Sequence, residues 1–448
     1  MIESREILIE ILRKEITPAI GCTEPAAIGI AVAYAFNAAI GNLNRNLTLI
    51  ARLDPEEVIS RFKEAIVKTS LGVFKNAQDV GIPNTNGGRG KSIAAALALF
   101  GNPSLELEIF GERSVPANAL PLASNLVDKI NFSIDRDQHE LFIDALVRTS
   151  SGSGRAVIKQ THTNVVLVET QDRVLYELAD RPAEKAVSDQ LKECYKNLDL
   201  RDLVGLVRDM PEQAEEITRK CIKMNSELSD IGMSKPTGMG VGHALYEYSE
   251  TTNEIATYMA ARTAAATDAR MFGILKPAMS IAGSGNQGIA ATMPIIAYAE
   301  KKDVDERLLV QSVLLSCLLT IWVAYHSKRL SATCGCAGKS GVGASGGLAY
   351  LMSNGDIECC ERSMQNFIAT MTGVICGGAN YGCALCAAEI THCAFQGSLL
   401  AIEGVEPPQT SGILGRTVKE SVENVSKVVD GMMIMNERIL DILRSKSS

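Results

Sequence analysis

Several features that mark common classes of protein are scarce or missing in this sequence. Aromatic residues make up only 5% of the 448 residues, and the net charge is −8 without any block of basic residues. Surfaces that bind nucleic acid are usually basic, so we expect no nucleic-acid partner. Histidine occurs only five times and forms no HExxH pair, which excludes that zinc-protease motif.

Nucleotide-binding and membrane-spanning patterns are also missing. Two stretches end in Gly-Lys-Ser, at Gly90 and Gly338, but the residue five positions earlier is threonine in both, so neither fits a P-loop. The uncharged run over residues 308–325 is at the short limit for a membrane span. We interpret this run as a buried core helix, and we expect no membrane partner.

Cysteine, by contrast, is abundant and clustered. The chain has twelve cysteines, and eight of them lie between residues 334 and 393. The first residues are acidic where a secretory signal would be basic, and no apolar segment with a cleavage site follows. The sequence therefore predicts a cytoplasmic protein, in which cysteines more often bind metals or react than form disulfides.

The clustered cysteines predict a site for a soft metal or an inorganic cluster. Thiolates favour iron–sulfur clusters, zinc or copper(I), and neighbouring glycines let the backbone approach a bulky ligand. The candidate ligands are Cys336, Cys376 and Cys383. Three other cysteines of this region are interpreted as small buried hydrophobic residues, namely Cys359, Cys360 and Cys393.

The spacing of the cysteines separates two kinds of metal site. A structural zinc site usually pairs CxxC units, but the only CxxC here is Cys383-Ala-Leu-Cys386. Irregular spacing favours a cluster that is assembled from several loops and helix ends. Three thiolates on a [4Fe–4S] cluster would leave one iron open, and an open iron acts as a Lewis acid toward a leaving group.

Hydrophobic periodicity predicts an α+β fold. Alternating apolar residues indicate strands, the first of them over residues 105–110, whereas residues 55–70 are predicted to form a helix. Long apolar helical patterns dominate the second half of the chain. We therefore expect a mainly helical catalytic core formed by residues 1–100 and 182–448, with a small β-rich subdomain inserted at residues 101–181.

One glycine-rich loop is a candidate anion site. The loop that contains Ser284, Gly285, Asn286 and Gln287 runs directly into an apolar helix. The free backbone N–H groups of such a loop suit a carboxylate or a phosphate. The same spacing also fits a simple tight turn between two elements, and the sequence does not decide between these interpretations.

Three further residues are candidates for contacts with a substrate. Asn86 lies in an earlier glycine-rich loop, and His162 lies at the end of a predicted strand. Cys22 stands at or just before a helix that begins near Pro25, where proline fits the first turn. A helix N-terminus favours the thiolate, so we expect the pKa of Cys22 to be lowered.

Four separated segments carry a family resemblance. They are GCTEPAAI at 21–28, SGNQGI at 284–289, SATCGC at 331–336, and TGVIC with GCAL at 372–385. Their residues and order resemble the L-cysteine desulfidase family, which is related to the catalytic α part of iron–sulfur L-serine dehydratases. The resemblance covers essentially the whole chain.

The resemblance implies an activity and a cofactor. Members of this family are oxygen-sensitive cytoplasmic lyases without pyridoxal phosphate, and they convert L-cysteine to pyruvate, ammonia and hydrogen sulfide. Carried onto this sequence, it implies that Cys336, Cys376 and Cys383 hold a [4Fe–4S] cluster with one open iron. Cys334 and Cys386 are the alternatives for these ligand positions.

The same resemblance assigns Cys22 as the base that removes the Cα proton of a small amino-acid substrate, whose carboxylate would rest near residues 284–287. Two alternatives stay open. One is an L-serine dehydratase with the same site, and the other is a non-catalytic protein that handles sulfur or clusters. The oligomeric state also stays open, with a homodimer as one expectation.

Overall fold

The computed structural model describes residues 4–178, 182–327 and 332–446. The fold is α+β, as predicted, and these residues form mostly helices together with a six-stranded sheet and a two-stranded sheet. The helices and strands up to residue 178 are α1 (Ser4–Glu15), β1 (Ile16–Ile20), α2 (Thr23–Ala39), α3 (Pro55–Arg61), β2 (Phe62–Ser70), α4 (Leu71–Asn76), α5 (Lys91–Ala98), α6 (Ala119–Ser124), β3 (Ile130–Asp135), β4 (Phe142–Thr149), β5 (Gly152–Lys159), β6 (Val165–Thr170) and β7 (Val174–Glu177).

The second part of the chain is almost entirely helical. It also contains a π-helical turn, Cys336–Gly341, directly before α14. Its elements are α7 (Pro182–Lys196), α8 (Leu200–Arg208), α9 (Glu212–Ser234), α10 (Val241–Thr252), α11 (Ile255–Phe272), β8 (Pro277–Ile281), α12 (Gly285–Lys301), α13 (Glu306–His326), α14 (Val342–Met352), α15 (Ile357–Met371), α16 (Cys383–Ile402), α17 (Val418–Gly431) and α18 (Met435–Ser445).

The larger sheet supports helix α2. Its strand order is β3-β2-β4-β5-β6-β7, with β2 and β3 parallel and the other pairs antiparallel. Helix α2 is buried along its whole length, which its many small residues allow, and it packs against β4 and β5. A Cβ at Gly154 in β5 would overlap the carbonyl oxygen of Ala35, so glycine permits this close approach. The last turn of α2 is thereby held against the sheet.

A short antiparallel pair of strands joins two hydrophobic cores. In it, β1 pairs with β8, with Ile16 opposite Ile281. Ile16 belongs to a core of helices from the second part of the chain, whereas Ala19 belongs to a core formed around α2, α5 and the larger sheet. The chain therefore crosses from one core to the other within β1, and it reaches Cys22 at their boundary.

Two local predictions are wrong. Residues 55–70 do not form one helix, because α3 ends at Arg61 and Phe62–Ser70 is strand β2 inside the six-stranded sheet. Residues 105–110 do not form a strand, because a 3₁₀ helix covers Pro103–Glu108. Strand β2 comes from outside the predicted insertion at 101–181, so the sheet is not built from that segment alone. The division into domains stays a prediction.

Two of the described helices, α13 and α16, are long and apolar enough to cross a membrane. The most apolar window of α13 is 89% buried inside the protein, and that of α16 is 50% buried. Core helices meet the same criterion, so this is weak evidence for a membrane span. The interpretation of residues 308–325 as a buried core helix is confirmed.

Replacing Gly288 with alanine is expected to lower the free energy of unfolding by about 1–3 kcal/mol. Gly288 lies near the start of α12, where a Cβ would overlap the carbonyl oxygen of Met279 in β8. Urea unfolding followed by circular dichroism measures the change. Gly205→Ala in α8 is the matched control, because its added Cβ meets no atom within 4 Å. Equal stability of the two variants would contradict the close packing.

Candidate active site

One cavity collects most of the predicted site residues. It lies where the two hydrophobic cores meet, between the start of α2, the turn from β8 to α12, and two cysteine-bearing segments. Its lining also contains residues that the sequence did not single out, which are described below. The predicted residues that line it are Cys22, His162, Ser284, Asn286, Gln287, Cys336, Cys376 and Cys383.

Two predicted residues are not among those that line the cavity. Asn86 is exposed, in a left-handed backbone conformation within its glycine-rich loop. Gly285 is the first residue of α12 and lies directly against the side chain of Arg270, which does line the cavity. The structure therefore does not bring Asn86 to the cavity lining, whereas Gly285 shapes the space beside one of its side chains.

Cys22 is the N-cap residue of α2, which begins at Thr23, two residues before the start near Pro25 that the sequence predicts. Its Sγ donates a hydrogen bond of 3.1 Å to Oε2 of Glu24. Burial, and then the negative charge of Glu24, raise the pKa of the Cys22 thiol well above its ordinary value. The expected lowering of this pKa is therefore wrong, because burial and the carboxylate outweigh the effect of the helix N-terminus.

Glu24 is the centre of a group of hydrogen bonds. It is only 7% exposed, and it accepts hydrogen bonds from Cys22, from Thr23 Oγ1 at 3.2 Å and from Asn76 Nδ2 at 2.8 Å. Nε2 of His162 lies 3.9 Å from its Oε1. Burial alone would raise the pKa of Glu24, but His162, Cys22 and Asn76 together hold it well below its ordinary value. An ionised carboxylate thus lies beside a protonated thiol.

Backbone pairing places the candidate ligands together. The backbone N–H of Cys334 donates to the carbonyl of Val374 at 2.8 Å, and that of Cys376 donates to the carbonyl of Ala332 at 2.9 Å. This short antiparallel bridge brings two segments that are about forty residues apart in sequence into contact. Cys336 opens the π-helical turn and Cys383 opens α16, so each lies at a helix start.

The chemistry of these thiols fits an iron–sulfur cluster. Sγ of Cys334 lies 3.7 Å from Sγ of Cys386. Hydrogen bonds from Cys336 and Cys386 hold the pKa of the Cys334 thiol below its ordinary value, whereas burial raises the pKa of the thiols of Cys376 and Cys383. Among the described residues, no three cysteine, histidine or acidic side chains are arranged to hold a single metal ion. A multi-iron cluster is wider than one ion, so its ligands stand further apart. The free thiols of this group are Cys334, Cys336, Cys376, Cys383 and Cys386.

Another part of the cavity lining suits an anion. Ser284 is the N-cap residue of α12, and its Oγ accepts a hydrogen bond from the N–H of Gln287 at 3.5 Å. Arg270, near the end of α11, donates from Nη1 to Oδ1 of Asn286 at 2.8 Å. The first N–H groups of a helix lack partners within the helix and attract negative charge.

Sequence reasoning missed Glu24, Asn76 and Arg270. Two of them had a signal: Glu24 stands two residues after Cys22 in the same motif, and Arg270 interrupts a helix that is otherwise rich in alanine. Asn76 had none, because it reaches Glu24 only through the tertiary structure. A charged residue within an apolar helical pattern deserves to be treated as a site candidate.

The class of protein follows from this arrangement. A thiol, an ionised carboxylate and a guanidinium are all buried around one cavity. Burying such groups costs stability, and they collect where a protein does chemistry. An α+β protein with a buried, cysteine-lined cavity of the kind in which enzymes do chemistry is the class that the fold and the cavity define.

Similar proteins point to a particular family. The family model described as serine dehydratase alpha chain matches residues 126–441. The chain is 34% identical to the UPF0597 protein of Clostridium botulinum strain Langeland, covering 99% of each chain, and 33% identical to that of Clostridium tetani, covering 98% of each. It is 32% identical to the L-cysteine desulfidase of Methanocaldococcus jannaschii, covering 100% of this chain and 99% of the other. The chain belongs to the serine dehydratase alpha chain family, a family of lyases, and the resemblance of its motifs is confirmed.

Proposed function

We propose that this protein is a lyase that eliminates hydrogen sulfide from L-cysteine and releases pyruvate and ammonia. The observation that carries the proposal is that one cavity joins the Cys22–Glu24 pair, a group of free thiols and the anion-binding start of α12. The full-length similarity to a protein named L-cysteine desulfidase supports the same substrate.

The cofactor that we propose is a [4Fe–4S] cluster. Cys336, Cys376 and Cys383 would hold it through their thiolates, with Cys334 and Cys386 as the neighbouring alternatives. When bound, the cluster would supply an open iron, a Lewis acid that makes the departing sulfur a better leaving group. We propose no role for pyridoxal phosphate.

The residues of the chain would bind the substrate and transfer its Cα proton. The substrate carboxylate would rest against the N–H groups at the start of α12, beside Asn286 and Gln287. Cys22 would first release its thiol proton to water and would then accept the Cα proton as a thiolate; until that release, the hydrogen bond to Glu24 holds its Sγ in place. The electron pair of the Cα–H bond forms the new double bond, and sulfide leaves with the pair of the Cβ–S bond. The resulting enamine tautomerises and is hydrolysed to pyruvate and ammonia.

A second candidate function is dehydration of L-serine at the same site, which the description of the matching family favours. A third, sulfur or cluster handling without elimination, would use the thiols but would not need Cys22. For each of them we propose a reducing, cytoplasmic setting, because all twelve cysteines are free. We also propose that the protein acts on small amino acids and needs neither nucleic acid nor a membrane; a homodimer remains one candidate assembly.

Anaerobic purification followed by product assays tests these functions. We expect L-cysteine to yield pyruvate and sulfide in equal amounts, with a lower kcat/KM for L-serine because iron binds sulfur more readily than a hydroxyl oxygen. Boiled protein and protein treated with air are the controls. A preference for L-serine would replace the proposed substrate, and an absence of keto acid from both amino acids, in protein that retains iron, would overturn the lyase proposal.

A further inference from the structure

The guanidinium of Arg270 is buried with one of its edges unused. Arg270 is only 2% exposed, and it lines the cavity. Its Nη1 donates to Asn286, but Nε and Nη2 have no hydrogen-bond partner among the described residues. No described aspartate or glutamate forms an ion pair with it either. A buried charged donor without a partner is costly, so a ligand that pairs with this edge is expected.

Two other arginines of the same protein show what this edge binds. Nε and Nη2 of Arg155 donate to the two carboxylate oxygens of Asp144 at 2.8 and 2.9 Å. Nε and Nη2 of Arg262 donate in the same way to the two oxygens of Glu300. This side-on fork is the geometry in which arginine binds a carboxylate with two parallel hydrogen bonds. Arg270 has the same fork without a carboxylate of the chain, and its side chain lines the cavity.

The start of α12 packs directly against the fork. A Cβ at Gly285 would overlap Nε of Arg270, so glycine lets the helix start approach the guanidinium this closely. Gly285 is also the first residue of α12, whose N-terminal N–H groups attract an anion. Arg270 lines the same cavity as the Cys22–Glu24 pair and Cys383, so the guanidinium shares that space with the thiol–carboxylate pair and with a proposed cluster ligand.

We propose that the Nε and Nη2 edge of Arg270 binds the α-carboxylate of the substrate and thereby selects amino acids with a free carboxylate group. This inference rests on the proposed function, because it names the group that anchors the substrate at that site. A carboxylate held there leaves Cα near Cys22 and directs the Cβ substituent toward the group of thiols. The adjacent positive charge also stabilises the negative charge that develops on the substrate as the Cα proton leaves.

Comparison of L-cysteine with its methyl ester tests the anchor. Arg270→Lys keeps the charge but loses the fork, and we expect kcat/KM for L-cysteine to fall about 10- to 100-fold, chiefly through KM. The methyl ester has no carboxylate charge, so its kcat/KM should change little. Arg155→Lys is the matched control, because the fork of Arg155 already binds Asp144 and neither residue is among those that line the cavity. This variant should leave kcat/KM unchanged for both the acid and the ester. An equal loss for acid and ester, or no loss for either, would overturn the assignment.

Binding of pyruvate gives a readout that does not depend on turnover. We expect pyruvate, but not methyl pyruvate, to raise the melting temperature of the wild-type protein, and we expect Arg270→Lys to lose this shift while keeping its circular dichroism spectrum. Gly285→Ala, whose Cβ would displace the guanidinium while keeping its charge, should also lose the shift. If the wild-type protein bound pyruvate through Arg270 but had no lyase activity, the anion site would stand and only the proposed function would be overturned. If the wild-type protein turned over L-cysteine but both variants kept the pyruvate shift, only the role of Arg270 would be overturned.

Discussion

Replacing Cys22 with alanine is expected to lower the turnover of L-cysteine by about 10²- to 10⁴-fold, the usual contribution of a positioned general base. The loss should appear in kcat more than in KM, because Cys22 acts on the reacting Cα proton. Iron content should stay unchanged, since Cys22 is not a proposed cluster ligand. Steady-state assays of pyruvate release, with iron analysis of the same samples, measure both effects.

The structure gives this expectation a more specific form. Burial raises the pKa of the Cys22 thiol, so the thiol is protonated before the substrate binds. It can then accept the Cα proton only after its own proton has left, and until then its hydrogen bond of 3.1 Å to Glu24 holds Sγ in place. Glu24→Gln keeps the shape of the side chain but removes the negative charge around which Asn76 and His162 are also arranged. We therefore expect Glu24→Gln to lower kcat as well, through the position of the thiol.

Controls separate this role from damage to the fold. Cys194→Ala changes an exposed cysteine in α7 and should leave turnover unchanged. If Cys22→Ala kept full activity, Cys22 would not be the base. If Cys22→Ala were inactive but Glu24→Gln were fully active, the thiol would act without being positioned by the carboxylate.

The second large effect concerns the cluster. Cys336→Ser, Cys376→Ser and Cys383→Ser, each made singly, are expected to remove most of the iron and acid-labile sulfide, together with the brown colour of anaerobically reconstituted protein. The physical reason is that serine offers a hydroxyl, which is a much poorer ligand for iron in such clusters than a thiolate. Iron and sulfide analysis with the visible absorption spectrum measures the loss.

Neighbouring cysteines supply the controls for this prediction. Cys393→Ser lies on the same helix as Cys383, ten residues further on, and should keep the cluster. Cys334→Ser and Cys386→Ser are the discriminating variants, because these two sulfur atoms lie 3.7 Å apart beside the proposed ligands. If either of these variants lost its iron while one of the three proposed ligand variants kept it, the cysteine whose variant lost iron would replace that ligand in the assignment. Full iron content in all three serine variants would falsify the assignment altogether.

Local sequence patterns predicted many of the residues that line the cavity. The glycine-rich loop at Ser284 does start a helix, Cys22 does precede one, and the cysteines at 376 and 383 do approach that at 336. These features depend on residues that are close in sequence or on a motif that occurs as a unit. Electrostatic behaviour did not follow from them: the pKa of Cys22 moves opposite to the expected direction, because the packing around the start of α2 decides it.

The sequence by itself determined the α+β class, the family and the types of residue at the site. Periodicity and short motifs are local properties, and they survive without knowledge of the fold. Only the tertiary structure decided that Phe62–Ser70 is a strand of the sheet, that Asn76 and His162 flank Glu24, and that Arg270 keeps a free fork inside the protein. Each of these features depends on burial and on contacts between segments that are distant in sequence, and local sequence patterns do not specify either.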